Sequence, residues 1–162
     1  MSEAVTPKFL KTLAFLAPAT DEELRLLIPL ARTEEYAAGS MLFREGEHLS
    51  HVFIVTAGTV ALEMLGPEQW PRRFQTLGAG ELLGWSPLFG ADAMTASARA
   101  ITDVRVVALE AKGILAVCEQ DPRFGFAFMR RTAAAIAARL SATRLQLLDV
   151  YKYELPASTA GG

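Results

Sequence analysis

The chain has 162 residues, 51% of them hydrophobic, which favours one compact domain with a substantial core. Sixteen Lys and Arg against 18 Asp and Glu give a net charge of −2, which excludes a bulk electrostatic footprint for DNA or RNA. Met1–Lys11 has no continuous apolar stretch, and no segment approaches the roughly 18 apolar residues of a membrane span. We therefore expect a cytoplasmic protein without membrane contact, in which the single cysteine, Cys118, is a buried structural thiol.

The first segment, residues 1–32, is predicted to be helical. Apolar residues between positions 6 and 17 recur with the spacing of a short amphipathic helix that ends at Pro18. Thr20 or Asp21 can cap a second helix, and Pro29 should kink or end it.

Residues 33–110 change in character, because short apolar or alternating runs are separated there by glycines. The runs predict strands at 41–43, 51–56, 59–65, 73–77 and 96–109. Two residues, Ala57-Gly58, separate the second run from the third and predict a hairpin. Many short strands with regular turns indicate a sandwich or barrel.

The third segment, residues 111–155, returns to a helical pattern. A short helix is predicted over 111–119, and Asp121-Pro122 should begin a long one. Along this helix residues recur at alternating spacings of three and four, as in a coiled coil. This seam predicts a homodimer through Met129, Ala133, Ile136, Leu140, Thr143 and Leu147, flanked by Phe126 and Val150. The alternative is that the seam packs on the chain's own β-core, and residues 156–162 are expected to form a disordered tail.

One stretch in this frame is especially informative: Gly80-Glu81-Leu82-Leu83-Gly84-Trp85-Ser86-Pro87-Leu88-Phe89, followed by Thr95-Ala96-Ser97-Ala98-Arg99-Ala100. With Gly46-Glu47 and Gly58-Thr59-Val60 before it, it resembles the cyclic nucleotide-binding domains of catabolite-activator and Fnr-type regulators. The resemblance covers about residues 9–150. It implies a mainly β fold, a double-stranded jelly roll (β-roll) with flanking helices and a long C-terminal dimerisation helix.

The resemblance also implies a ligand pocket built on a phosphate-binding cassette. In the family, backbone N–H groups of a short helix, here Trp85 to Phe89, face the cyclic phosphate. An acid binds the ribose hydroxyl and an arginine pairs with the phosphate, but Trp85 and Met94 stand at these positions here, and only Ser97 matches, as a small hydroxyl. The implied pocket residues are Gly84, Trp85, Ser86, Leu88, Met94, Thr95 and Ser97. Arg99 should point to solvent, on the strand face opposite Met94.

Three interpretations of this altered cassette follow. Trp85 and Met94 can fill a former cavity, which would leave a ligand-free dimeric scaffold for a partner protein. They can instead line a pocket for a less polar ligand, with Ser86 and Ser97 as polar handles. Cyclic-nucleotide binding can also persist through altered contacts, at an affinity that two lost charge-assisted hydrogen bonds lower by on the order of 10² to 10⁴.

Other functional classes have weaker signals. His48 and His51, with Glu45 or Glu47, could suggest a metal-dependent barrel enzyme, but residues three apart on a strand face opposite sides. The pairs Arg72-Arg73 and Arg130-Arg131 lack the interleaved aromatics of a nucleic-acid surface. No catalytic arrangement is recognisable, and the regulators' helix-turn-helix has no counterpart before the chain ends. The sequence predicts a regulatory module that is not an enzyme, holds no metal or cofactor and does not bind DNA directly.

Overall fold

The computed structural model describes residues 4–90 and 93–154, with side chains to residue 149 in the last helix. These residues form two four-stranded antiparallel sheets flanked by four α-helices. The helices are α1 (Pro7–Lys11), α2 (Asp21–Leu27), α3 (Ala111–Gln120) and α4 (Pro122–Glu154). The strands are β1 (Ala31–Tyr36), β2 (Met41–Phe43), β3 (His51–Ala57), β4 (Val60–Leu65), β5 (Pro71–Leu77), β6 (Leu82–Leu83), β7 (Ser97–Ala100) and β8 (Val104–Glu110).

The sheets have the strand orders β1-β8-β3-β6 and β2-β7-β4-β5, and they face each other as a β-roll. This confirms the predicted jelly roll with flanking helices. Strand β3 is almost continuously buried because both of its faces are covered. Phe53 and Val55 point between the sheets, whereas Val52 and Ile54 point towards the helices.

The predicted hairpin at Ala57-Gly58 is wrong, because β3 and β4 belong to different sheets. Gly58 has a φ of +90°, and a Cβ there would lie 2.2 Å from the carbonyl oxygen of Asp103. The chain thus turns a tight corner against the 101–103 loop, where the Thr59 N–H donates to Thr102 Oγ1. That loop also crosses between sheets, so the predicted single strand over 96–109 is two strands, β7 and β8.

The N-terminal helices are shorter than their apolar patterns indicate. Helix α1 covers Pro7–Lys11 and is followed by turns, not by helix to position 17. Thr20 caps α2 by accepting the N–H of Glu23, as predicted, and α2 ends at Leu27 before a 3₁₀ helix that contains Pro29. Strand β1 then begins at Ala31, inside the segment predicted to be helical.

Two apolar layers hold the domain together. The first fills the space between the sheets, where the rings of Phe43 and Phe53 stack with centroids 6.1 Å apart. The second lies between the β3 sheet and the helices, where Phe128 packs edge-on against Phe15 and stacks on Phe124. The start of α4 therefore belongs to the core.

Helix α4 begins as predicted, with Asp121 Oδ1 accepting the N–H groups of Arg123 and Phe124 at 3.2 Å each. Gly125 lies inside the helix, where a Cβ would stand 3.0 Å from the carbonyl oxygen of Cys118. Its lack of a side chain thus permits close approach to α3. Cys118 is half-buried, not fully buried as expected, and burial raises the pKa of its thiol.

The predicted dimerisation seam occupies more than one environment in the single chain. Met129 packs against the chain's own core, and Thr143 and Leu147 line a groove beside β5. Ile136 is half-buried, while Ala133 and Leu140 are exposed, Leu140 at 49%. Pairing stays a prediction. Val150's side chain and the predicted tail at 156–162 lie outside the described residues.

Candidate functional site

A cavity of about 200 Å³ lies between the β-roll, the cassette and α4. Its walls are mainly apolar and come from both sheets and the loop before β7: Phe43, Leu62, Phe74, Leu83 and Met94. Its polar and aromatic groups come from the cassette and from α4: Trp85, Ser86, Thr95 and Arg139. An apolar cavity with a few convergent polar groups is the usual form of a small-molecule site.

The contact between Trp85 and Arg139 joins the cassette to α4. The guanidinium carbon of Arg139 lies 4.7 Å from the ring centroid of Trp85, a cation–π distance. An Arg139 N–H also donates to the Leu82 carbonyl oxygen at 2.6 Å. Burial lowers the pKa of the Arg139 guanidinium and the nearby Glu81 carboxylate raises it, but an arginine stays protonated. The side chain therefore brings a positive charge to the cavity.

The cassette backbone has the expected order of a strand followed by a short helix. Strand β6 ends at Leu83, Gly84 has a φ of +70°, and a 3₁₀ helix covers Ser86–Phe89. A Cβ on Gly84 would lie 3.1 Å from the Phe53 ring, so both the positive φ and the close contact favour glycine at this turn. Pro87 has no N–H, and the Leu88 N–H already donates to the Trp85 carbonyl oxygen. The helix thus has fewer amides to offer an anion than its length implies.

The predicted pocket residues separate into two groups. Gly84, Trp85, Ser86, Met94 and Thr95 line the cavity together, and the exposed fraction of Met94 is 9%. Leu88 is buried in the core beneath the helices, and Ser97 faces a different, shallow groove. The Ser97 hydroxyl accepts the N–H of Glu45 at 2.8 Å, so this polar handle holds a turn. The binding roles of these residues stay predictions.

Arg99 lies on the outer face of β7, opposite Ala98 and Ala100, which face the same core as Met94, but it does not point to solvent as predicted. Its Nε donates to Glu63 Oε1 at 3.0 Å, and its Nη1 donates to the carbonyl oxygen of Gly39. Glu63 is buried on the same side of the sheet. Arg99 is therefore a structural partner of Glu63, which pins β7 to β4 and the turn before β2.

Sequence reasoning missed Arg139, although a signal for it exists. Phe124, Phe128, Thr132, Ala135 and Arg139 recur every three or four residues on the face of α4 that contacts the core. A charged residue on such a face needs a special environment, here the Trp85 ring and the Leu82 carbonyl. The predicted heptad seam runs along the neighbouring face of α4 and does not include Arg139.

A second groove continues along α4 beside β5. Gln75 and Arg139 line one part of it, and Thr143 and Gln146 line another with Gln75. Gln75 is buried, and no described group donates to its Oε1. The contact between the roll and the second half of α4, from residue 138 onwards, is therefore partly polar and incompletely packed.

The other candidate sites are separate from this cavity. His48 is exposed, His51 Nδ1 lies 2.8 Å from Ser50 Oγ, and no group of three His, Cys, Asp or Glu residues within 4–90 and 93–154 could hold a metal ion. Arg131 pairs with Glu23 at 2.8 Å. Arg72 lies 3.9 Å from Glu68. In the part of the chain that the structure covers, no helix is long and apolar enough to cross a membrane.

The family model described as "Cyclic nucleotide-binding domain" matches residues 33–121, more than half of the chain. This match coincides with the β-roll, the cassette and α3, and the fold is the one the resemblance implies. The chain belongs to the cyclic nucleotide-binding domain family.

The names of two curated relatives refer to cyclic AMP. The cyclic AMP receptor protein of Thermus thermophilus is 30% identical over 141 residues, covering 86% of this chain and 61% of that protein. The CRP-like cAMP-activated global transcriptional regulator of Mycobacterium tuberculosis is 24% identical over 126 residues, covering 78% of this chain and 54% of the regulator. The chain thus spans between about half and three-fifths of the length of these relatives.

Solved structures show the same architecture. The catabolite activator protein of Thermus thermophilus superposes with a TM-score of 0.69 at 27% identity, over 87% of this chain and 64% of that one. A cyclic nucleotide-binding domain from Methylobacillus flagellatus reaches a TM-score of 0.81 over 92% of this chain and 88% of its own. Its identity is 16%, so it supports the fold alone.

Proposed function

We propose that this chain is a non-catalytic regulatory domain whose pocket has lost most of its affinity for cyclic nucleotides. The observation that carries the proposal is the chemistry at the two cassette positions in the cavity. An indole (Trp85) and a thioether (Met94) stand where the resemblance places the acid for ribose and the arginine for phosphate. Neither side chain can form the charge-assisted hydrogen bonds of the groups it replaces.

The expected loss of affinity is large. Each charge-assisted hydrogen bond contributes roughly 1.5 to 3 kcal/mol, so two lost bonds weaken binding by on the order of 10² to 10⁴. Pro87 removes one further donor from the cassette helix. Arg139 does not occupy the position of the family's phosphate-binding arginine, because its guanidinium approaches from α4 and lies over the Trp85 ring.

Occupancy of the pocket would be read out by α4. A ligand that contacts Arg139 competes with the Trp85 ring and the Leu82 carbonyl, which tie the second half of α4 to the roll. Binding would therefore bias the position of that half, and exposed leucines on it would transmit the change to a second copy or to a partner protein. We place this domain in the cytoplasm, paired through α4, without direct DNA contact.

The test is a calorimetric titration with cyclic AMP and cyclic GMP to about 10 mM. We expect no binding tighter than the millimolar range for the native chain. The double variant Trp85→Glu, Met94→Arg restores both charges and should bind cyclic AMP at least about tenfold more tightly.

A matched control introduces the same charges outside the pocket. Trp70 and Met64 are exposed in and beside the β4–β5 turn, so Trp70→Glu, Met64→Arg should leave binding unchanged. Micromolar affinity of the native chain for either nucleotide would overturn the proposal. A pocket that binds no small molecule would instead favour the ligand-free dimeric scaffold.

A further inference from the structure

The cavity beside Trp85 holds a cation that forms no ion pair with a carboxylate of the described residues. Arg139 is half-buried, and its hydrogen-bond acceptor among the described residues is the neutral Leu82 carbonyl oxygen. The ion pairs of the described residues do not include Arg139. The Glu81 carboxylate lies close enough to favour its charge, but it accepts the Gly78 N–H at 2.7 Å and does not bond to the guanidinium. A partly desolvated cation in this position favours an anion that enters the cavity.

The remaining surface selects for an apolar body on that anion. Phe43, Phe74, Leu83 and Met94 supply most of the wall, and the Trp85 ring forms one side. Hydroxyl groups from Ser86 and Thr95 lie at the cassette side and can donate one hydrogen bond each. One end of a fitting ligand must be charged, and the other must be aliphatic or aromatic.

We propose that the pocket binds a small carboxylic acid, with its carboxylate on Arg139 and its apolar part against Met94 and the two phenylalanines. This inference rests on the proposed function, since it names the ligand class of the same site. Guanidinium and carboxylate match geometrically, because two parallel N–H groups of the arginine can donate to the two carboxylate oxygens. Binding exchanges the contact of Arg139 with Leu82 for one with the ligand.

Size and donor count favour a carboxylate over a phosphate ester. The cavity of about 200 Å³ is smaller than the roughly 300–1,000 Å³ typical of sites for drug-sized ligands, so it fits a fragment-sized molecule. A phosphate presents three or more acceptor oxygens and needs several donors. Met94 supplies none, Pro87 has no N–H, and the Leu88 N–H is already bonded.

Trp85 offers a direct optical readout. The chain has two tryptophans, so Trp70→Phe leaves Trp85 as the sole indole, already in contact with the Arg139 charge. In this background we would titrate benzoate, phenylacetate and hexanoate, each beside its neutral amide, to about 10 mM. At least one acid should change the Trp85 emission saturably and bind about tenfold or more tightly than its amide.

Variants of α4 test whether Arg139 carries that preference. Arg139→Gln should weaken the acid about tenfold and leave the amide unchanged, whereas Arg139→Lys should retain part of the acid's affinity. Arg144→Gln removes an exposed arginine from the same helix and should change neither. Circular dichroism of each variant would show that the fold is intact.

The outcomes separate this inference from the proposed function. Three results would each overturn the inference. They are equal affinity for acids and amides, an Arg139→Gln variant that binds acids as tightly as the native chain, and a panel in which no acid binds saturably. Weak binding of cyclic AMP alongside any of these results would leave the proposed loss of nucleotide affinity intact. Micromolar binding of cyclic AMP would overturn the proposed function itself, whatever the acids do.

Discussion

The two halves of α4 illustrate two ways in which one helix can be attached to the same β-roll. In the first half, Phe124 and Phe128 are buried and stack with ring centroids 5.6 Å apart, and the Arg131–Glu23 ion pair joins α4 to α2. In the second half the contacts with the roll are small or polar. Arg139 lies over the Trp85 ring, and Ala138 and Ala142 line a groove with Gln75. The Oε1 atom of Gln75 has no hydrogen-bond partner among the described residues.

Because of this difference, we expect the first half of α4 to stabilise the fold and the second half to respond to a ligand. Burying an aromatic side chain in a close-packed core leaves few alternative arrangements of similar free energy. A helix held by one guanidinium and a partly filled groove has such alternatives, and a ligand that competes for the guanidinium can select among them. The first half should therefore resist perturbation, whereas the second half should respond to the pocket.

The largest expected effect comes from breaking the anchored half. Phe128→Ala removes a fully buried ring that contacts Phe15 and Phe124, and should lower the free energy of unfolding by about 3–5 kcal/mol. Phe126→Ala, two residues earlier, is the matched control in a chain that also carries Leu140→Glu to remove the predicted pairing, because that ring is 70% exposed in the single chain and its loss there should cost less than about 0.5 kcal/mol. Urea denaturation measures both. Similar losses for the two variants would contradict the assignment of this half to the core.

A smaller effect is expected from the second half. Arg139→Gln removes a charge-assisted hydrogen bond and a cation–π contact, and should lower the free energy of unfolding by about 1–3 kcal/mol. Because the contact involves an indole, the Trp85 emission should change at the same time. Arg144→Gln is exposed and should change neither property. If Arg139→Gln were as destabilising as Phe128→Ala, the distinction between the halves would fail.

Local signals in the sequence predicted the helix starts, whereas the β-roll itself was implied by the family resemblance that the cassette carries. Thr20 and Asp121 mark helix starts by accepting backbone N–H groups within three residues, and Pro122 does so by its fixed φ at the first position of α4. The cassette order of strand, glycine and short helix is likewise local. The corner at Gly58 was not predictable in the same way, because the Asp103 carbonyl that makes it lies 45 positions away along the chain.

The candidate site was predictable only on the side that the cassette supplies. Five of the seven implied residues line the cavity, three of them at the turn after β6 and two, Met94 and Thr95, in the loop before β7. Ser97 does not, because it begins β7 whereas Thr95 lies in the loop before that strand, and on β7 the Ser97 hydroxyl accepts the Glu45 N–H. Arg139 and Phe74 come from distant elements, and their place at the cavity depends on how α4 and β5 pack on the roll.

The smallest effect on the folding of one chain is expected at Leu140, where the second half of α4 faces outward. We expect the native chain to be a dimer by light scattering, with a Tm that rises with protein concentration. Leu140→Glu places a charge at an exposed position of the seam, so the dimer should dissociate while the single chain stays folded.

Ala134→Glu is the control, because Ala134 is also exposed but lies about 120° around the helix from Leu140. An unchanged dimer mass for Leu140→Glu would refute pairing through this face. A monomeric native chain would mean that the exposed leucines of the second half meet a different partner.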